Sequence, residues 1–184
     1  MKIAFTGTHC TGKTTLLNEI KVVYNKDGSF GYVPEVARKI IDKGYPLNAD
    51  ANTDSYIHYI NEQLKSEQKI NNYELFVSDR TLLDPLAYAL INKELPRPYI
   101  RNYFIEMIEN VWLLEKERYD LYIYFPIEFP LNFDNVRSSD EDYRRDVDKM
   151  IYSLLTKYNV KYVTIRGAVE KRLETFLNLI KKAE

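Results

Sequence analysis

Gly7-Thr8-His9-Cys10-Thr11-Gly12-Lys13-Thr14 stands directly behind the apolar run Ile3-Ala4-Phe5, and Leu16, Leu17, Ile20, Val23 and Tyr24 follow it at helical spacing. The stretch completes the pattern GxxxxGK(S/T) between a short strand sequence and an amphipathic helix. The order matters as much as the pattern, because a buried strand must deliver such a loop and a helix N-terminus must finish it as an anion site. Gly7 and Gly12 let the backbone turn its N–H groups inward, Lys13 has the reach for β and γ phosphates, and Thr14 offers a hydroxyl to Mg²⁺. The reading is a nucleoside triphosphate site formed by Gly7, Thr8, His9, Cys10, Thr11, Gly12, Lys13, Thr14 and Thr15. His9 and Cys10 fill variable positions and need no side-chain role there.

Composition narrows the class. A chain of 184 residues, 45% apolar and 29% charged, suits one domain over 1–184 that buries roughly 70% of its unfolded surface. The net charge of −1 supplies no global attraction to DNA or RNA. One cysteine excludes an intramolecular disulfide. No apolar stretch approaches the ~20 residues that cross a bilayer, and Met1-Lys2 leads straight into the first strand without a signal peptide. The expectation is a cytoplasmic protein with no membrane partner.

Strands are predicted at 2–6, 30–33, 75–79, 121–125 and 160–165, and helices at 12–24, 35–43, 52–71, 82–93, 99–118, 140–157 and 169–182. Short apolar strands alternating with helices predict an α/β fold in three layers, a parallel sheet with helices on both faces. Ile100, Tyr103, Phe104, Met107, Ile108, Val111, Trp112 and Leu114 form the clearest helical stripe, read as core packing in preference to a dimer face. Functional residues of such a fold gather at the carboxyl ends of the strands.

Those ends carry distinct chemistry. After the second strand, Val33-Pro34-Glu35-Val36-Ala37-Arg38 puts Glu35 at the first turn of a helix, as a base or anchor for an acceptor hydroxyl or as a carboxylate answering the helix dipole. Arg38, a turn later, is placed to pair with Glu35 or face a phosphate. The third strand ends Ser78-Asp79-Arg80-Thr81, and Asp79 is the one acid at a strand end suited to holding Mg²⁺ beside Thr14. Arg80 supplies a fork for phosphate or for Asp79 itself. Asp84 and Pro85 read as the N-cap and first residue of the next helix. In the helix around residue 58, Tyr56 and Gln63 can stack on and hydrogen-bond a base or pyridine ring, while His58 reads as packing.

Residues 126–149 form the most polar segment, read as a lid. Arg137, Arg144 and Arg145 are its candidate phosphate clamps, with Arg137 preferred. Asp140–Arg144, Glu141–Arg145 and Arg144–Asp148 are i,i+4 pairs that need no ligand, and adjacent arginines diverge by ~100° on a helix, so at most one of the latter two clamps. Asn25-Lys26-Asp27 is similar to a guanine-reading motif, but its spacing and its position after the first helix disqualify it.

Taken in order, the phosphate loop with Thr15, Pro34-Glu35-Val36-Ala37-Arg38, Ser78-Asp79-Arg80-Thr81, Tyr119-Asp120-Leu121-Tyr122, and Asn135-Val136-Arg137 through Tyr143-Arg144-Arg145 resemble the P-loop nucleoside and nucleotide kinases. The likeness covers about residues 2–177 and is closest to the ATP-binding group that contains the ribosylnicotinamide kinase domain of bacterial NAD-biosynthesis regulators. Asp79-Arg80 is also similar to the acid-Arg motif of deoxynucleoside and thymidylate kinases. The resemblance implies strand order 2-3-1-4-5, assigns Glu35 to the acceptor hydroxyl, and assigns the lid arginine to Arg137, Arg144 or Arg145. The expectation is a protein without the second, adenylyl-transferring domain, and so not a bifunctional NAD enzyme.

The function expected is an ATP- and Mg²⁺-dependent kinase acting on a nucleoside-like or nucleotide small molecule. Lys13, Glu35, Asp79, Arg80 and Arg137 are its expected catalytic residues, and Glu35, Arg38, Tyr56, Gln63 and Arg80 its acceptor site. The alternatives are a nucleotide-dependent regulatory ATPase without an acceptor and a kinase of nucleic-acid hydroxyl groups, the second disfavoured by the balanced charge.

Overall fold

Alternate side chains of the first strand enter two different cores. Ile3 and Phe5 point to one side and Ala4 to the other, all with no exposed surface. In the computed structural model, which describes residues 1–24, 28–96, 100–130 and 140–182, this strand is β1 (Lys2–Thr6). With β2 (Phe30–Val33), β3 (Leu75–Asp79), β4 (Leu121–Tyr124) and β5 (Tyr162–Thr164) it forms a parallel sheet of order β2-β3-β1-β4-β5. Helices α1 (Lys13–Val23) and α7 (Val169–Lys181) cover the Phe5 face. The opposite face is covered by α2 (Ala37–Asp42), α3 (Thr53–Glu67), α4 (Leu83–Asn92), α5 (Asn102–Glu115) and α6 (Glu141–Lys157). Apolar residues on both faces explain why β1, β3 and β4 read as continuous hydrophobic runs.

Local chemistry sets the element ends. Asn52 and Ser55 form a reciprocal capping box at the start of α3, and the Asp140 carboxylate accepts from the N–H groups of Asp142 and Tyr143 at the start of α6. The fifth strand is shorter than the predicted 160–165, because Asn159 turns left-handed at φ 47° and the Val160 N–H bonds back to the Leu155 carbonyl. The third helix stops at Glu67, short of 71, and a separate 3₁₀ turn follows at Ile70–Asn72. The stripe on α5 splits. Ile100, Phe104, Ile108 and Trp112 are buried, whereas Tyr103, Met107 and Leu114 are exposed. Asn25, Lys26, Asp27 and Arg137 lie outside the described residues. Among the described residues no helix is long and apolar enough to cross a membrane.

Candidate active site

The two motif glycines sit where no side chain fits. Gly7 has φ 147°, and a Cβ there would collide with the Phe125 carbonyl. Gly12 has φ 87°, and its Cβ would lie 2.8 Å from an Arg172 guanidinium nitrogen. The loop they bound runs from β1 into the N-terminus of α1. Inside it the Lys13 ammonium donates to the carbonyls of Gly7 (2.8 Å) and Thr8 (2.6 Å) and to the Thr11 hydroxyl (3.1 Å). Burial, reinforced by the Arg80 charge, brings the Lys13 pKa down to about 8.

Beside the loop, the Thr14 hydroxyl donates to one carboxylate oxygen of Asp79 at the end of β3. The other oxygen is buried and has no hydrogen-bond partner among the described residues. Burial first, and the Glu35 carboxylate second, push the Asp79 pKa up to about 6. A hydroxyl and a buried carboxylate with an unused oxygen form a donor set of the kind Mg²⁺ takes.

Arg80 follows Asp79 in a left-handed conformation, φ 87°, which swings its guanidinium across the strand ends. Its Nε donates to Glu35 at 2.7 Å, and its Nη1 donates to Asp84 and to the Gly7 carbonyl, both at 2.9 Å. Burial disfavours its charge, but the Glu35 and Asp84 carboxylates prevail and hold its pKa well above the usual arginine value. Arg80 thus forks onto Glu35 and Asp84, not onto Asp79. Glu35 itself precedes α2 and is not in its first turn, so the helix-dipole reading does not describe it.

Two cavities meet here. The larger, about 300 Å³, is bounded by Cys10 to Thr15, Phe129, Pro130, Val169 and Arg172. The smaller, about 60 Å³, is walled by Tyr56, Tyr59 and Tyr88, with Arg38 exposed at its rim. Glu35 and Arg80 line both. Tyr88 also touches the phosphate loop: its hydroxyl lies 3.0 Å from His9 Nδ1 and 3.3 Å from the Thr8 hydroxyl.

Several predicted placements change. Gln63 is fully buried beneath the site, its amide nitrogen against the Glu67 carboxylate, the Ser78 hydroxyl (3.1 Å) and the Arg80 carbonyl (3.0 Å), so it does not reach the aromatic cavity. His58 stacks on Tyr45 with ring centres 4.0 Å apart. Asp84 is not an N-cap. Leu82 takes that position, while Asp84 accepts from Arg80 and from the Gly7 and Thr81 N–H groups. Arg144, read as a clamp, is fully buried and donates to the carbonyls of His9 (3.1 Å), Cys10 (3.0 Å) and Phe129 (3.0 Å). Arg145 is exposed and pairs with Asp142 at 3.0 Å.

Tyr59, Tyr88 and Arg172 are site residues that sequence reasoning missed, and Arg172 is the charged one. It donates to the Thr11 carbonyl at 2.6 Å and to Glu128 at 2.6 Å, and its guanidinium lies over the rings of Phe125 and Phe129. A signal was available. Arg172 falls in line with Phe176 and Ile180 on the apolar face of α7, as Arg144 does with Val147, Ile151 and Leu154 on α6. A charge on a core-facing stripe is a buried charge that needs partners.

Residues 2–172 match the AAA domain family. The thymidylate kinase of Campylobacter jejuni subsp. jejuni (strain 81-176) is 28% identical over 96 residues, which is 48% of this chain and 50% of that enzyme. The match therefore spans about half the length of the curated relative. Among solved structures, NadR protein in complex with NR superposes with a TM-score of 0.76 at 18% identity, covering 98% of this chain and 50% of that one. Deoxyadenosine kinase from M. mycoides gives 0.67 at 17% identity, covering 99% of this chain and 100% of the other. Thymidylate kinase from Candida albicans gives 0.69 at 13% identity, covering 98% and 91%. The predicted five-stranded order 2-3-1-4-5 is the observed one, and the chain belongs to the AAA domain family, with a P-loop kinase fold and a distant sequence similarity to thymidylate kinase.

Proposed function

We propose that the protein is an ATP- and Mg²⁺-dependent phosphotransferase whose acceptor is a nucleoside-like or nucleotide small molecule. The observation that carries this reading is the shared border of the two cavities: Glu35 and Arg80 line both the phosphate-loop cavity and the tyrosine-walled one. A protein that only hydrolysed nucleotide has no use for the second chamber.

Phosphoryl transfer through a loose transition state asks mainly for alignment and charge neutralisation. Lys13 answers the charge on the transferring group. Glu35 holds the acceptor hydroxyl and takes its proton, and Arg80 fixes Glu35 at the border. The rings of Tyr56, Tyr59 and Tyr88 wall the cavity and suit a flat acceptor. Arg38 at the rim is placed for a more polar part of the acceptor. Thr14 and Asp79 would hold Mg²⁺, which supplies charge neutralisation to the phosphates when bound.

Labelled ATP offered with nicotinamide riboside, deoxynucleosides, their monophosphates and DNA tests the proposal. Transfer to one small-molecule class supports it. Label released only as inorganic phosphate favours a regulatory ATPase, and transfer to DNA alone favours a nucleic-acid kinase.

A further inference from the structure

A phosphate loop works by presenting successive backbone N–H groups to an anion. In a trans peptide the carbonyl of one residue and the N–H of the next point in opposite directions, because the unit is planar. Whatever fixes the carbonyls on the outside of the loop therefore fixes the N–H groups on its inside. Here the Arg144 guanidinium, from the second turn of α6, donates to the carbonyls of His9 and Cys10 at 3.1 and 3.0 Å. The opposed N–H groups are those of Cys10 and Thr11, two residues that line the 300 Å³ cavity. Cys10 is also held at φ 56°, a conformation that L side chains rarely adopt and that surrounding contacts must sustain.

Arg144 does not line that cavity and has no exposed surface. It cannot touch a phosphate from there, which separates it from a lid clamp. Its fork is steadied from behind by the Glu141 carboxylate at 3.2 Å and by the Phe129 carbonyl at 3.0 Å. Arg172 treats the Thr11 carbonyl in the same manner, but it borders the cavity and so has a second route to the ligand.

We infer that Arg144 is a positioning residue that shapes the anion cradle, turning the Cys10 and Thr11 N–H groups toward the phosphates by holding the preceding carbonyls. The inference rests on the reading that this loop binds the triphosphate. Without Arg144 the competent conformation is a smaller fraction of the population, and apparent affinity falls by that fraction.

The test uses two probes, AMP-PNP and inorganic tripolyphosphate, each with Mg²⁺, titrated calorimetrically well below the melting temperature. Arg144→Met is expected to bind both about 30-fold more weakly than the parent, the loss of two charge-assisted contacts. Arg144→Lys keeps the charge but not the fork, and is expected to recover less than threefold of that loss. Millimolar guanidinium is expected to restore affinity to Arg144→Ala. The exposed Lys149→Ala, on the same helix, serves as the unchanged control. A purely structural role would lower the melting temperature and leave affinity in the folded protein unchanged, so variants within threefold of the parent overturn the inference alone. A parent that binds neither probe overturns the triphosphate reading with it. Should the Arg144 variants fail to fold, Glu141→Gln decides: a threefold or greater loss for both probes supports the inference, and no loss overturns it.

Discussion

Arg80 Nε lies 2.7 Å from Glu35 Oε1, in a pair that is nearly closed to solvent and stands at the border of two cavities. The contact fixes a carboxylate where a loose side chain would wander. It also places Glu35, a candidate base beside Asp79, within the field of a permanent cation. Glu35→Gln keeps the size of the side chain and loses the ability to take a proton. Transfer to the acceptor is expected to fall by roughly 10²–10⁴-fold, the usual contribution of a general base. AMP-PNP affinity is expected to stay near that of the parent, since the phosphate loop is untouched. Equal transfer by both proteins would reduce Glu35 to a partner for Arg80.

Arg80 has a second obligation, to Asp84, which is 1% exposed and accepts from the same Nη1 that holds the Gly7 carbonyl. Removing one member of a buried pair leaves an uncompensated charge, and such losses reach about 3–5 kcal/mol. Arg80→Met is therefore expected to destabilise the fold by about 3 kcal/mol in urea unfolding, well beyond an exposed arginine. Arg80→Met with Asp84→Leu removes the Arg80–Asp84 pair together and is expected to regain part of that stability, since Glu35 still lacks Arg80 and the Gly7 and Thr81 N–H groups lose their acceptor. If the double variant is no better than the single one, Asp84 is held by its backbone donors instead.

The contrast between these residues explains what was legible in the chain. The phosphate loop and β1 could be read because strand, glycines, lysine and helix are contiguous, so local backbone demands alone specify them. Asp79 was legible for a related reason, as an acid closing an apolar run. Glu35, Arg80 and Asp84 are brought together by strand crossovers. Sequence marked Glu35 and Arg80 as interesting but could not say that Arg80 forks onto Glu35 and Asp84 in preference to Asp79. Arg144 and Arg172 were harder. Arg144 has acidic neighbours at helical spacing that offer an ordinary solvated explanation, Arg172 has none at three or four residues' distance, and in both only the place on a core-facing stripe betrays burial. Gln63 failed in the opposite way. Its helix does wall the aromatic cavity through Tyr56 and Tyr59, but a turn beyond them the same helix passes beneath β3.

Asp79 and Lys13 set opposite pH limits on binding in the nucleotide-free protein. Burial and Glu35 raise Asp79 to about 6, and burial and Arg80 lower Lys13 to about 8. Below pH 6 Asp79 takes up a proton and no longer offers a charged oxygen to Mg²⁺; above pH 8 Lys13 loses the charge that meets phosphate. Affinity for Mg²⁺ with AMP-PNP is expected to peak between these values and to fall toward about tenfold per pH unit on each flank, as one linked proton requires. Asp79→Asn removes the acidic flank and most of the Mg²⁺ dependence, and leaves the alkaline flank in place. Titrations from pH 5 to 9 read both, and an acidic flank that survives in Asp79→Asn would assign it to another group.

Gln63 provides a test of where the acceptor sits. Its amide nitrogen reaches the Arg80 carbonyl at 3.0 Å and the Ser78 hydroxyl at 3.1 Å, and it also meets the buried Glu67 carboxylate. These contacts brace the left-handed turn that aims Arg80 at Glu35. Gln63→Leu removes a donor from the buried Glu67 carboxylate, while the Arg80 carbonyl keeps the Ser78 hydroxyl at 2.7 Å, so a loss of about 2 kcal/mol in stability is expected from the carboxylate. Because Glu67 is already pushed above the usual carboxylate range, by burial, it can meet the loss by taking a proton, which keeps the cost moderate. The acceptor KM is expected to move less than threefold, and kcat to fall modestly as Arg80 loosens. A glutamine that read the acceptor ring would behave otherwise, since a site built to hydrogen-bond a ring loses that recognition by orders of magnitude when the partner is removed. A large rise in acceptor KM with unchanged stability would return Gln63 to the pocket. It would also require the third helix to turn its amide away from Ser78 when acceptor binds.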